Sequence, residues 1–191
     1  MSKGRLEAFS DGVVAIIITI MVLELKVPHG SDLASLIPLG PVLLSYVLSF
    51  VYLGIYWNNH HHLFQAVKRV QGGVLWANLH LLFWLSLIPF VTWWMGENQF
   101  APIPVALYGV VLLAAAIAYY ILVRSLIAAH AENAFLATAL GNDLKGKISP
   151  VVYAVAIPLS FVSAWIATGL YILVAAMWVV PDRRIETKLV S

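Results

Sequence analysis

Charged residues fall in short clusters along the chain, and between them lie uninterrupted apolar stretches at 12–23, 33–67, 70–96, 98–123 and 148–181. A bilayer crossing takes roughly 20 helical residues, and each of the last four stretches is long enough. The first is shorter, but its apolar character runs from Phe9 to Val27, and Glu24 and Lys26 near its end can snorkel to the headgroups. The stretch 148–181 as one straight helix would extend about 51 Å, well past a ~30 Å hydrocarbon core. Pro158, Ser160, Ser163 and Gly169 instead favour a hairpin of two short helices, 150–162 and 165–180, turning near Ser163-Ala164. The expected architecture is all-α: six crossings at about 9–27, 38–62, 74–95, 103–124, 150–162 and 165–180, forming one transmembrane domain over 1–191 with no soluble domain.

Charge placement gives this count an orientation, because cytoplasmic loops carry the excess Lys and Arg. With an inside N-terminus and six spans, Lys3, Arg5, Lys68, Arg69, Arg124, Lys145, Lys147, Arg183, Arg184 and Lys188 all fall on the cytoplasmic side, and both termini are cytoplasmic. Only Lys26 is left outside. A signal peptide is the competing reading of the first span. Glu7 and Asp11 interrupt its basic region, Glu-Leu-Lys-Val-Pro offers no small-residue cleavage site, and the Met-Ser-Lys start lacks a myristoylation glycine. The connection 125–149, with Gly141-Asn142-Asp143, reads as a short cytoplasmic loop, helical in part before Gly141. Alanines at 114, 118 and 128 suit close helix contacts. No internal repeat of the kind found in many secondary transporters stands out.

Composition removes several classes. Of 191 residues, 62% are hydrophobic and 10% charged, with a mean hydropathy of +0.91, against about half apolar and a quarter charged in soluble domains. A net charge of +2, dispersed along the chain, is no basic stripe for nucleic acid. The absence of cysteine excludes disulfides, thiolate metal sites, a Cys nucleophile and palmitoylation. No nucleophile-elbow, zincin, Walker or dinucleotide motif occurs, so no enzyme and no cofactor are expected.

Polar residues within the spans cluster toward the cytoplasmic side: Ser10 and Asp11 in helix 1, Asn58 to His62 closing helix 2, and Asn78 and His80 in helix 3. Polar groups in lipid need partners, so a network tying the first three helices is expected, with Ser10 or Asp11 also able to cap helix 1. Three consecutive histidines diverge by about 100° per residue and cannot share one ion, so no metal site is expected at 60–62.

The pattern Arg5-x-x-x-Phe9-Ser10-Asp11 resembles the signature of the bacterial branch of the transmembrane protein 175 family. So do Ile16 and Thr19, the segment from Trp57 through three histidines to Phe64, Leu75-Trp76-x-Asn78, Leu87-Ile88-Pro89-Phe90 with Thr92, and Pro181 to Glu186. The resemblance implies a potassium-permeable channel in a cell membrane, the bacterial inner membrane. It implies a homotetramer with helix 1 of each subunit around one axis, with lipid, other copies of itself and permeant monovalent cations as partners. It also implies an apolar constriction and a threonine layer instead of a Thr-Val-Gly-Tyr-Gly filter, which this chain lacks. By position after Phe-Ser-Asp, the implied pore residues are Ile16, Thr19, Ile20 and Leu23, and the signature residues Arg5, Phe9, Ser10 and Asp11 are expected to join the helix-3 histidine, His80.

Helical geometry permits the pore assignment without choosing it. With Ile16 at zero, Thr19, Ile20 and Leu23 fall at about −60°, +40° and −20°. The stripe of Val14, Ile18, Met21 and Val22 is just as apolar. Thr19 also has the alternative of bonding the i−4 carbonyl of Ala15. Two other classes stay open: a small cation-coupled transporter using Asp11, Glu24 or His80, and a non-conducting membrane interaction protein.

Overall fold

In the computed structural model, which describes residues 2–65, 67, 70–130 and 144–179, the chain is a bundle of helices. The helices are α1 (Lys3–Leu23), α2 (Gly40–Gln65), α3 (Gly72–Ser86), α4 (Ile88–Glu97), α5 (Pro102–Ala129), α6 (Leu144–Leu159) and α7 (Ala164–Val179), with a short 3-10 helix, Leu33–Leu39, leading into α2. Four segments are long and apolar enough to cross a membrane: Lys3–Leu23, Leu33–Gln65, Gly72–Glu97 and Pro102–Ala129. The last two helices have 16 residues each, about 24 Å of helix, short of a ~30 Å hydrocarbon core.

Helix α1 starts six residues before the expected Phe9 and ends at Leu23 rather than Val27. Lys3, Arg5 and Glu7 have good helix propensity and extend it at the start. At the other end Pro28 pushes the residue before it out of the helical region. Lys26 lies outside the helix and pairs with Glu97 at 3.3 Å, its ammonium 5.8 Å from the centre of the Trp93 ring. Neither Ser10 nor Asp11 caps the helix. The N-cap position is Ser2, with no side-chain bond, and Ser10 sits mid-helix with its hydroxyl donating to Leu6 O at 2.9 Å. Asp32 caps the 3-10 helix by accepting from Ser35 N at 3.0 Å, and the hydroxyl and amide of Ser35 hold its carboxyl below the ordinary carboxylate range.

The expected third span, 74–95, is broken at Leu87. Pro89 has no N–H to donate to Leu85 O and its ring crowds that carbonyl, so the helix restarts as α4. The hairpin between α6 and α7 turns through 160–163: the Ser163 amide donates to Leu159 O at 2.8 Å, and the Ser163 hydroxyl receives the Ile166 amide at 3.4 Å as α7 begins. α6 starts at Leu144, six residues before the expected Pro150. Lys68 and Arg69, the 131–143 part of the expected loop, and the chain from 180 onward, with Arg183, Arg184, Lys188 and the Pro181 to Glu186 motif, lie outside the described residues.

Packing places α5 against α3, α4, α6 and α7, and places α1 against α2, α3 and α4. Small residues set two close approaches, as expected where lipid removes the hydrophobic drive between helices. A Cβ on Gly96 would lie 2.7 Å from Val42 Cα, and one on Gly109 would collide with the Tyr171 hydroxyl. The centre of the bundle holds two chains of hydrogen-bonded hydroxyls. Tyr108 donates to Ser49 Oγ at 3.0 Å, Ser49 to Thr92 Oγ1 at 2.6 Å, and Thr92 to Ile88 O at 2.6 Å, beside the break between α3 and α4. A second chain runs from Tyr153 to the Tyr52 hydroxyl at 3.2 Å and from Tyr52 to Tyr171 O at 2.6 Å. Every hydroxyl in these chains has a partner, which is the condition for burying it.

Candidate functional site

The two faces of α1 differ in what they touch. Leu6, Ser10, Val14, Ile17 and Met21 are buried against the rest of the chain, at spacings of three and four that define one helical face. Ile16 is 59% exposed, Ile20 42% and Leu23 81%, and Thr19 beside them is also exposed. Of the competing stripe, Val14 and Met21 are buried, Ile18 is half-buried and Val22 is exposed. Packing among the described residues separates the two stripes in part: Val14 and Met21 are held inside the bundle, while Ile16, Thr19, Ile20 and Leu23 lie on the exposed side.

Thr19 donates its hydroxyl to Ile16 O at 2.8 Å, an i−3 bond rather than the i−4 bond to Ala15. With the proton committed backward, the oxygen keeps acceptor capacity toward the open side. Alongside Ile16 and Ile20, the break between α3 and α4 opens an apolar groove of about 590 Å³. Val13 and Ile17 of α1 form one wall and Pro89, Phe90 and Trp93 of α4 the other.

The buried polar network is centred on Asn78. Its amide nitrogen donates to Ser10 Oγ at 2.9 Å, and its oxygen meets His60 Nε2 at 2.7 Å. Because Ser10 already donates to Leu6 O, its oxygen needs a donor. That orients the amide and makes His60 the donor through Nε2. Asn78 is fully buried and His60 is 6% exposed, so three side chains tie α1, α2 and α3 together in a dry setting. Asp11 lies outside this group, accepting from Trp57 Nε1 at 2.9 Å at the exposed edge of α1 and α2.

The other expected members are elsewhere. His80 is exposed and accepts from Trp84 Nε1 at 2.9 Å on its own helix, not from Asp11 or Ser10. It sits two residues, about 200°, from Asn78, so when one points inward the other points out. Phe9 is 50% exposed, and Arg5 is exposed and makes no ion pair among the described residues. His60 and His61 part: His60 goes to Asn78, while His61 stacks on Trp57, bonds Gln65 at 2.8 Å and has its ring centre 5.8 Å from that of His62. Among the described residues no three His, Asp or Glu converge as metal ligands would. The tyrosine, serine and threonine chains of the core were not anticipated. Their signal was present in Ser49, Tyr52 and Thr92, hydroxyl residues within otherwise apolar spans.

Comparison with known proteins gives a consistent set of similarities. The family model described as endosomal/lysosomal potassium channel TMEM175 matches residues 5–89. A potassium channel of Chryseobacterium sp. (strain P1-3) is 59% identical over 189 residues, covering 99% of this chain and 98% of that protein. A potassium channel of Chamaesiphon minutus (strain ATCC 27169 / PCC 6605) is 33% identical over 186 residues, covering 90% and 91%. The fold resembles the crystal structure of a lysosomal potassium-selective channel TMEM175 homolog from Chamaesiphon minutus, with a TM-score of 0.79 and 32% identity over 93% of this chain and 96% of that one.

Proposed function

Given that the chain belongs to the TMEM175 family, we propose that it is a potassium-permeable channel of a cell membrane, assembled from four copies with the free face of α1 around a shared axis. The observation that carries the reading is the division of α1: one face supplies its packing, while Ile16, Thr19, Ile20 and Leu23 lie on the exposed face, with Ile16 and Ile20 at the groove toward α4. An unpaired apolar face on a membrane helix meets lipid or another helix, and in a family of channels the other copies supply the helices.

In this arrangement Ile16 forms a ring of four apolar side chains, a constriction that excludes water when narrow and conducts when it widens. Thr19 supplies four hydroxyl oxygens at the next level, with lone pairs available because each proton is given to Ile16 O. They replace part of the hydration shell of K⁺, the task that carbonyl rings perform in other channels. Ile20 and Leu23 complete the apolar lining. The Ser10, Asn78 and His60 network fixes the rotation of α1, and so decides which face meets the axis. The chain crosses the membrane six times with both ends inside. The short α6–α7 hairpin fits if the bilayer thins locally or both helices pack within the bundle.

The test is potassium flux from liposomes holding the purified protein, with an imposed K⁺ gradient and a protonophore to carry the compensating charge. Flux that scales with protein and needs no coupled ion supports the channel. Saturable flux that depends on a second ion and is lost in Asp11→Asn points to a transporter. No flux from well-folded protein contradicts both.

A further inference from the structure

Arg5 and Phe9 belong to the family signature, yet among the described residues they join no polar network. On a helix of 100° per residue, Arg5 lies about −20° and Phe9 about +20° from Ile16. Both therefore continue the free stripe of α1 toward its N-terminus, about 16 Å and 10 Å below Ile16. The helix is unbroken from Lys3 to Leu23, so this alignment is carried without interruption. Both side chains are exposed, and Arg5 has no ion pair among the described residues. Glu7, two residues from each, lies about 160° away around the helix, and Asp11, held by Trp57, about 120° from Arg5.

Resting on the tetrameric reading above, we infer that Arg5 and Phe9 line the cytoplasmic entrance, as a ring of four guanidinium groups below a ring of four phenyl groups. A positive ring at one mouth of a cation pathway depletes cations there and lowers the current carried by cations that enter through that mouth. For guanidinium groups about 10 Å from the axis in water at ~0.1 M salt, entry falls by about two- to threefold. The factor grows to about sevenfold at ~10 mM and vanishes near 1 M, as the Debye length shortens from ~30 Å to ~3 Å. Arg5 is thus a rectification determinant and Phe9 a second narrow level.

The experiment is recording in planar bilayers at constant K⁺ while impermeant salt is varied on the cytoplasmic side. For the unaltered protein, outward current should rise severalfold between ~10 mM and 1 M, with inward current little changed. Arg5→Gln should show high outward current at all salt levels, and Arg5→Lys should behave as the parent. The chain has no cysteine, so Phe9→Cys gives a single target, and a charged thiol reagent from the cytoplasmic side should cut its current. Leu23→Cys, treated from the other side, separates the two claims. If Leu23→Cys is blocked but outward current ignores salt and Phe9→Cys is unaffected, the entrance ring is wrong and the pathway stands. If Leu23→Cys is also unaffected, the pathway reading falls and the ring with it.

Discussion

Replacing Asn78 by leucine removes an amide of similar volume and leaves two buried groups without partners, the Ser10 oxygen and the His60 Nε2–H. Side-chain hydrogen bonds between membrane helices are worth about 0.6 kcal/mol on average and up to ~1.7. Leaving a buried polar group unsatisfied costs about 1–3 kcal/mol. Asn78 makes two such bonds in a site where all three partners are almost fully buried, so Asn78→Leu should destabilise the fold by about 2 kcal/mol. His80→Leu, on the same helix, removes only an exposed bond to Trp84 and should cost under about 0.5 kcal/mol. The assay is equilibrium unfolding of the purified protein from mild detergent into SDS, followed by tryptophan fluorescence. A cycle with His60→Phe should show coupling between positions 60 and 78 and none between 60 and 80. If Asn78→Leu matched the parent, or His80→Leu were equally harmful, the assignment of the network would be refuted.

Ile16→Asn should raise leak current or weaken ion discrimination in reconstituted protein, whereas Ile17→Asn, placed on the buried face, should lower the yield of folded protein instead. Thr19→Val removes the hydroxyl at nearly constant shape and should shift the bi-ionic K⁺/Na⁺ reversal potential toward zero while assembly persists; an unchanged potential would leave Thr19 as packing. Gly109→Ala drives a methyl into the Tyr171 hydroxyl and should cost about 1–3 kcal/mol in the SDS titration, with partial relief from adding Tyr171→Phe.

The four long apolar helices were legible because long charge-free stretches have few other uses, and the α6–α7 turn because Ser160 and Ser163 interrupt a stretch too long for one straight helix across a bilayer. The break at Leu87 was not anticipated, although Pro89 marks it, because prolines are common in membrane helices and many only bend them. The phase of α1 could not be read, since Ile16 and Val14 are equally apolar and only packing separates them. The family resemblance and a similar depth in the membrane together grouped His80 with Asp11. The angular step from Asn78 to His80 is what sends one inward and the other out, and with Asn78 buried that step was decisive. The core tyrosines were hidden for a related reason, because a hydroxyl inside a span does not name its partner on a distant helix.

In the proposed channel the Ile16 face of α1, and not the Val14 face, borders the permeation pathway. Single cysteines placed in turn at 12–23 in the naturally cysteine-free chain, each exposed to a charged thiol reagent during potassium flux, test it directly. Inhibition is expected at 16, 19, 20 and 23 and protection at 14, 17 and 21, a pattern with the period of the helix. Inhibition centred on 14, 17 and 21, or spread without period, would contradict it.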